Sequence, residues 1–304
     1  MAWAFATAPD SAPVTVPLIV IAGDRPGPVA ALTAGIHGDE YEGIVALWRL
    51  AAHIQPEQVA GRILIVPIAH QAAYNAATRS SPSDGVNLAR VFPGDADGTI
   101  TYRLAHHLFA NIVRHASVLV DCHSGGVRMA FAPVAGYYRE IDAPAAAASL
   151  DTARWMGLPN LWAMPPRAGV LSYEAARIGV AVSGCEIGGR GGRIEADSQM
   201  YYDGITRVLR AKGILAGEPG AQPTYTQTLV GDWVLAPAAG LLENHVELGE
   251  RVKAGARLAT IYDTLGAVVT RMSARTDGFV MGVRHLPAIQ VGEWATCVVE
   301  EKPL

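Results

Sequence analysis

Four short segments of this chain hold residue types that do chemistry together. The first is Gly35-Ile36-His37-Gly38-Asp39-Glu40. An apolar run over 29–36 ends at His37, and a helical pattern begins near Glu40. Both side chains are therefore expected at one turn on the carboxyl edge of a sheet, where α/β folds place their ligands. An imidazole nitrogen and a carboxylate oxygen are good zinc ligands. The flanking glycines allow a tight turn with backbone close to a bound group. The plain alternative is a Glu that favours the positive end of a helix beside an ordinary loop histidine. The second segment, Val120-Asp121-Cys122-His123-Ser124-Gly125-Gly126, repeats the design, with an apolar run ending in a glycine-flanked polar turn. His123 supplies a third ligand. Two His and one Glu leave the fourth position for water, as hydrolytic zinc sites require. Asp121 is placed to orient a ligand imidazole through its second nitrogen. Strand alternation points Cys122 away from His123 and into packing.

The third segment, residues 180–189, is an apolar strand that ends at Glu186. A carboxylate there is a candidate general base for an activated water. Alone it would read as a surface Glu closing a strand; its meaning comes from being a third polar strand tip. The glycine-rich stretch after it lacks the Lys-Ser/Thr of a P-loop and reads as a turn. The fourth segment runs from Asp84 to Gly94, with Thr78-Arg79 upstream. Arginine holds a carboxylate in a bidentate pair. Arg79 and Arg90 beside a cationic metal would select an anionic substrate and help stabilise an oxyanion. The plain alternative is ordinary surface arginine.

Positioning these segments requires alternating elements. Strands are expected at 16–22, 29–36, 62–69, 117–122, 160–164 and 180–186. Helices are expected from residue 44 to 54 and at 101–115, 143–156, 172–178 and 197–212. Residues 70–100 read as one long irregular loop, and loops of that length inside a domain are usually functional. The alternation predicts an α/β fold, with a mixed, largely parallel sheet and helices on both faces. Residues 215–226 read as a linker. The short strands beyond it predict a small C-terminal all-β domain over 227–304, after a catalytic domain over 1–214.

Composition narrows the function. The chain has 304 residues, of which half are hydrophobic and 17% charged; this excludes disordered and collagen-like classes. A net charge of −4 without a basic run argues against a nucleic-acid partner. No run of about 18 apolar residues predicts a membrane span. Cys122, Cys185 and Cys297 are odd in number and lack CxxC spacing. That disfavours a disulfide framework and favours a cytoplasmic location. The opening MAWAFATAPDSAP does not read as a signal peptide.

Together the four segments resemble the succinylglutamate desuccinylase/aspartoacylase family, which is related to zinc carboxypeptidases. Its G-x-H-G-x-E, L-N-R-x-F-P-G and D-x-H-S/G segments and its later glutamate after a strand stand here, in order, as GIHGDE, LARVFPG, DCHSGG and CEIGG. The C-terminal LLENHVELGERVKAGARLATIYD is similar to the small β domain of bacterial members, reminiscent of lipoyl carriers, so the likeness covers 16–300. The resemblance implies a zinc-carboxypeptidase-like fold, with one zinc ion per chain at His37, Glu40 and His123. It implies Arg90 and Arg79 as binders of a substrate anion and Glu186 as catalytic base. One position departs: the family's Asn before the Arg is Ala89 here, which cannot donate a hydrogen bond to a substrate carboxylate. Asn87 is the candidate that replaces it. Lys253 lacks the setting of a modified carrier lysine, and no modification is expected.

The expected activity is zinc-dependent hydrolysis of the amide bond of an N-acyl amino acid or related N-acylated amine, giving a carboxylate and a free amine. The expected partner is a small anionic N-acyl substrate, without nucleic acid or membrane; a homo-oligomer stays open. Two alternatives stand beside it. One is a metallocarboxypeptidase acting on a peptide C-terminus. The other is a non-catalytic scaffold of the same fold. The acyl group and the amine are open. Met129, Phe131, Tyr137, Tyr138 and Trp162 are candidate pocket lining, although such residues more often form core.

Overall fold

The computed structural model describes residues 2–5, 14–231 and 233–304. Most of the opening segment weighed as a signal peptide lies outside them. Up to residue 211 the chain forms β1 (Ala2–Phe5), β2 (Val14–Pro17), β3 (Ile19–Ala22), β4 (Arg25–Thr33), α1 (Glu42–His53), β5 (Ala60–Val66), α2 (Gln71–Ala76), α3 (Ile100–Asn111), β6 (Val118–His123), β7 (Met129–Tyr137), α4 (Ala143–Met156), β8 (Asn160–Ala163), α5 (Leu171–Arg177), β9 (Ala181–Gly189) and α6 (Glu195–Ala211). The described residues beyond form strands alone: β10 (Gln227–Val230), β11 (Trp233–Leu235), β12 (Gly240–Asn244), β13 (Arg251–Val252), β14 (Arg257–Tyr262), β15 (Val268–Ser273), β16 (Gly278–Arg284), β17 (Ala288–Ile289) and β18 (Trp294–Pro303). No helix among them is long and apolar enough to cross a membrane.

Local sequence explains several of these elements. In α1, Ile44, Leu47 and Leu50 recur at helical spacing and are buried. Helix α4 carries Pro144 in its first turn and ends where Gly157 takes a φ of 64°, a conformation glycine adopts without strain. The apolar start of β6 is wholly buried because β4 and β9 pair in parallel on its two edges. β5 extends this parallel run and β3 lies antiparallel outside it.

The sheet then continues in a way that corrects the expected fold. β7 pairs antiparallel with β9. The other edge of β7 is shared: residues 134–137 pair in parallel with β8, and residues 129–131 pair antiparallel with β16. β8 pairs with β10, β10 with β18, and β18 with β16. Strands β7, β8, β10, β18 and β16 therefore close into a five-stranded mixed barrel within one 12-stranded sheet. Strands β15, β14, β12 and β17 form a separate antiparallel sheet. The architecture is thus not a mixed, largely parallel sheet with helices on both faces beside a small all-β domain, because C-terminal strands complete the central sheet itself. The physical reason lies in β7, a segment read only as pocket lining. It carries Pro133 and Gly136, which blur its strand pattern, and the hydrogen-bonding edge it offers is written in no side chain. Met129, Phe131, Val134, Leu229, Phe279, Met281, Cys297 and Val299 form the barrel's apolar cluster.

Residues 70–100 are less irregular than expected: they contain α2 and a short helical turn, Leu88–Arg90. Asp84 fastens this region. Its carboxylate accepts from Thr99 Oγ1 at 2.6 Å, Thr101 Oγ1 at 2.8 Å, Thr101 N at 3.1 Å and Val86 N at 3.2 Å. It caps the first turn of α3 from a distant part of the chain. Burial opposes its ionisation, but these hydrogen bonds outweigh burial and lower its pKa from 3.8 to about 2. Asp84→Ala is expected to destabilise the fold by about 1–2 kcal/mol at pH 7. A depressed pKa gives stability that is present above the unfolded value near 3.8 and lost as pH falls through about 2. Urea midpoints of the two proteins should therefore converge in acid. An equal gap at pH 7 and pH 2 would show that the ionised carboxylate is not the cause.

Candidate active site

The turn after β4 is pressed against α2. A Cβ on Gly38 would fall 2.0 Å from the backbone of Ala73, so this approach requires glycine. The turn buries His37 and Glu40. Across the sheet, β6 ends at His123, which lies in register with Glu186 of β9. The turn after β4, the end of β6 and the interior of β9 thus meet at one point; β9 does not end at Glu186 as expected but continues to Gly189.

Glu40 sits between two imidazoles: its Oε1 is 2.6 Å from His37 Nδ1, and its Oε2 is 3.0 Å from His123 Nδ1. Ser124 N also donates to Oε2, at 3.3 Å. One ligand atom from each of His37, Glu40 and His123 lies within 4.8 Å of the others, which puts them in reach of a common cation. Each imidazole is held from behind. His123 Nε2 is 3.1 Å from Asp121 Oδ2, and Thr33 donates to Asp121 Oδ1 at 2.7 Å. His37 Nε2 is 3.1 Å from Asn87 Oδ1. Such backing contacts set the orientation of a ligand histidine.

The carboxylates of Asp121 and Glu40 favour positive charge at this point. Burial and the Arg79 guanidinium push His37 down to about 4, so it is a neutral imidazole at pH 7. Burial disfavours the carboxylate of Glu40, but His37 and His123 outweigh it and hold the group well below the usual range. Burial likewise disfavours charge on His123, yet Asp121 and Glu40 raise its pKa well above the ordinary value. For Glu186, burial outweighs the opposing charges of His123 and Arg79. Its Oε2 is buried without a hydrogen bond, and burial pushes its carboxyl up to about 8. A cation nearby favours the ionised form of such a group.

The loop residues come to the same place by different routes. Arg79 Nη1 lies 3.1 Å from Glu40 Oε1 and 3.2 Å from His37 Nδ1. Arg90 donates to the carbonyl of Ala89 at 2.8 Å; burial, then Arg79 and Arg167, lower its pKa to about 10. Asn87 Oδ1 accepts from Ala89 N at 2.9 Å as well as facing His37. Arg79, Ala89 and Arg90 line one cavity together with His37, His123 and Glu186, whereas Asn87 is not part of its wall. Of the residues expected as lining, Phe131, Tyr138 and Trp162 face this cavity; Met129 and Tyr137 do not. Arg167, Trp233 and Trp294 also line it and were not anticipated. Another unanticipated residue is Tyr201 of α6, whose buried hydroxyl donates to the carbonyls of His123 and Cys185 and ties β6 to β9. In sequence it is only one more apolar position on a helix.

Residues 26–211 match a family model, the succinylglutamate desuccinylase/aspartoacylase catalytic domain. The chain belongs to this family. The N-alpha-acetyl-L-2,4-diaminobutyric acid deacetylase of Halomonas elongata is 33% identical over 296 residues, 94% of this chain and 86% of the relative. A succinylglutamate desuccinylase/aspartoacylase structure from Rhodobacter sphaeroides superposes with a TM-score of 0.86 at 30% identity, covering 95% of this chain and 90% of that one. The product-bound ectoine utilization protein EutE (DoeB) from Ruegeria pomeroyi gives 0.89 at 32%, covering 99% and 94%. This member of the succinylglutamate desuccinylase/aspartoacylase family therefore shares its C-terminal strands with these relatives, and not the matched catalytic segment alone.

Proposed function

We propose that the chain is a zinc-dependent amidohydrolase that cleaves the amide bond of an anionic N-acyl amino acid or related N-acylated amine, releasing a carboxylate and a free amine. The observation that carries this reading is Glu186: a half-buried side chain whose Oε2 is buried without a hydrogen bond, opening on the same cavity as His37 and His123. The deacetylase activity in the name of the Halomonas relative supports it. In this reading His37, Glu40 and His123 hold one zinc ion per chain, a set of two nitrogens and one oxygen that suits this metal. Zinc supplies Lewis acidity there, making water acidic near neutral pH and polarising a carbonyl.

The protein's own groups do the rest. Glu186 Oε2 accepts the proton of the attacking water and returns it to the departing amine nitrogen. Arg79 and Arg90 grip the substrate's anionic oxygens; inside a desolvated cavity these charge-assisted bonds are strong. Asp121 keeps His123 turned toward Glu40. Asn87 does the same for His37 with its oxygen. The ligands and base lie within residues 1–214, which we take as the catalytic segment, with 215–226 as linker and 227–304 as the segment that completes the cavity wall. Cys122, Cys185 and Cys297 are buried and held in no disulfide, which supports a cytoplasmic location.

The test is a panel of N-acetyl and N-succinyl amino acids and a peptide of similar size, assayed with and without a chelator. Hydrolysis of N-acyl amino acids that a chelator abolishes and zinc restores is the expected result. Preference for the peptide would favour a carboxypeptidase, and chelator-resistant hydrolysis would remove the metal. In the same panel, Arg90→Ala should raise KM for anionic members about 10- to 100-fold relative to a neutral amide. Equal effects on both would take the substrate anion away from Arg90.

A further inference from the structure

Arg79 stands in an irregular loop, and its side chain is about one-third exposed, with a relative accessibility of 32%. A long flexible side chain so placed samples many rotamers unless something holds it. Its guanidinium carbon lies 5.1 Å from the ring centre of Trp294 on β18, within the range of a cation–π contact. Trp294 is itself fixed. Its indole stacks flat on that of Trp233, 4.3 Å between centres and 3° between planes. Trp233 meets Phe131 of β7 edge-on at 5.1 Å. The barrel closure makes this ladder possible. Gly282 of β16 pairs in register with Phe131, and a Cβ on Gly282 would come within 2.9 Å of the Trp233 ring. Trp233, Gly282 and Trp294 all lie beyond the matched segment 26–211.

We infer that Trp294 is a positioning residue for Arg79, and that this is how the C-terminal strands take part in the reaction. The ring face carries partial negative charge and holds the guanidinium without competing for its N–H donors. Those donors stay directed at Glu40 and His37 and at an anionic oxygen beside them. The five-stranded barrel thereby fixes a side chain that belongs to a loop on another part of the chain. This rests on the role given above to Arg79.

The experiment compares zinc-loaded wild type, Trp294→Leu, Trp294→Phe, Arg79→Met and the Arg79→Met/Trp294→Leu double variant. The probe is N-alpha-acetyl-L-2,4-diaminobutyrate, with its carboxamide as the form lacking the carboxylate. Trp294→Leu should raise KM for the acid about 3- to 10-fold, the range of a partly desolvated cation–π contact, and change KM for the carboxamide little. Trp294→Phe keeps a ring face and should recover most of the loss. In the double variant, the loss should equal that of Arg79→Met alone. A Trp294 that merely fills space would raise both KM values alike, and that result overturns the inference. If Arg79→Met leaves KM unchanged, the role assigned to Arg79 is what fails. If Arg79→Met raises KM and Trp294→Leu does not, the positioning role fails and the hydrolase reading stands. Should wild type not hydrolyse the probe, the hydrolase reading fails for this substrate, and melting temperatures of the same set decide: additive shifts for Arg79→Met and Trp294→Leu overturn the contact.

Discussion

Glu186→Gln is expected to lower kcat by about 10²- to 10⁴-fold, the usual contribution of a general base, while zinc content stays at wild-type level. The substitution keeps the size and the hydrogen-bonding oxygen of the side chain but removes the group that accepts a proton. Glu186 lies outside the His37–Glu40–His123 ligand set, so the metal need not leave with the charge. Burial already raises the carboxyl toward neutrality, so a neutral side chain at this position does not cost the fold a satisfied charge. Zinc analysis and kcat on one preparation provide the check. A variant with full metal and wild-type kcat would show that another group moves the proton, whereas loss of both would make Glu186 part of the metal site.

His123→Ala is expected to remove metal and activity together, with metal affinity falling by more than about 100-fold. The bound is set by outer contacts: losing a group that merely backs a ligand typically costs 10- to 100-fold. Asp121→Ala, which removes the backing contact at 3.1 Å, should fall within that smaller range. The pair of variants therefore separates a ligand from its support. A His123→Ala protein that binds zinc as tightly as Asp121→Ala would dismiss His123 as a ligand.

Much of this site is legible in the chain. The turn 35–40, the tip of β6 and residue 186 of β9 each place a polar residue after an apolar run, and parallel neighbours align such positions along one edge. His123 and Glu186 meet because β6 and β9 pair in register. The loop was harder to read. Arg79 and Arg90 stand out by type, but Arg167 follows a short strand with nothing to mark it, and Asp84 hides as a loop acid although it caps a helix. Tyr201 shows only helical periodicity, since its hydroxyl's partners are backbone carbonyls.

By itself, the amino-acid sequence determined the residue types of the candidate site, their order and the local turns that present them, because side-chain chemistry and strand-to-turn geometry depend on residue identity over a few positions. The tertiary structure alone decided that β7 divides one edge between β8 and β16, that a barrel closes there, and that Trp294 reaches Arg79. Every strand offers the same backbone donors and acceptors along its edges. Which edges join is settled by packing between segments far apart in the chain, and that packing set the aromatic wall of the cavity.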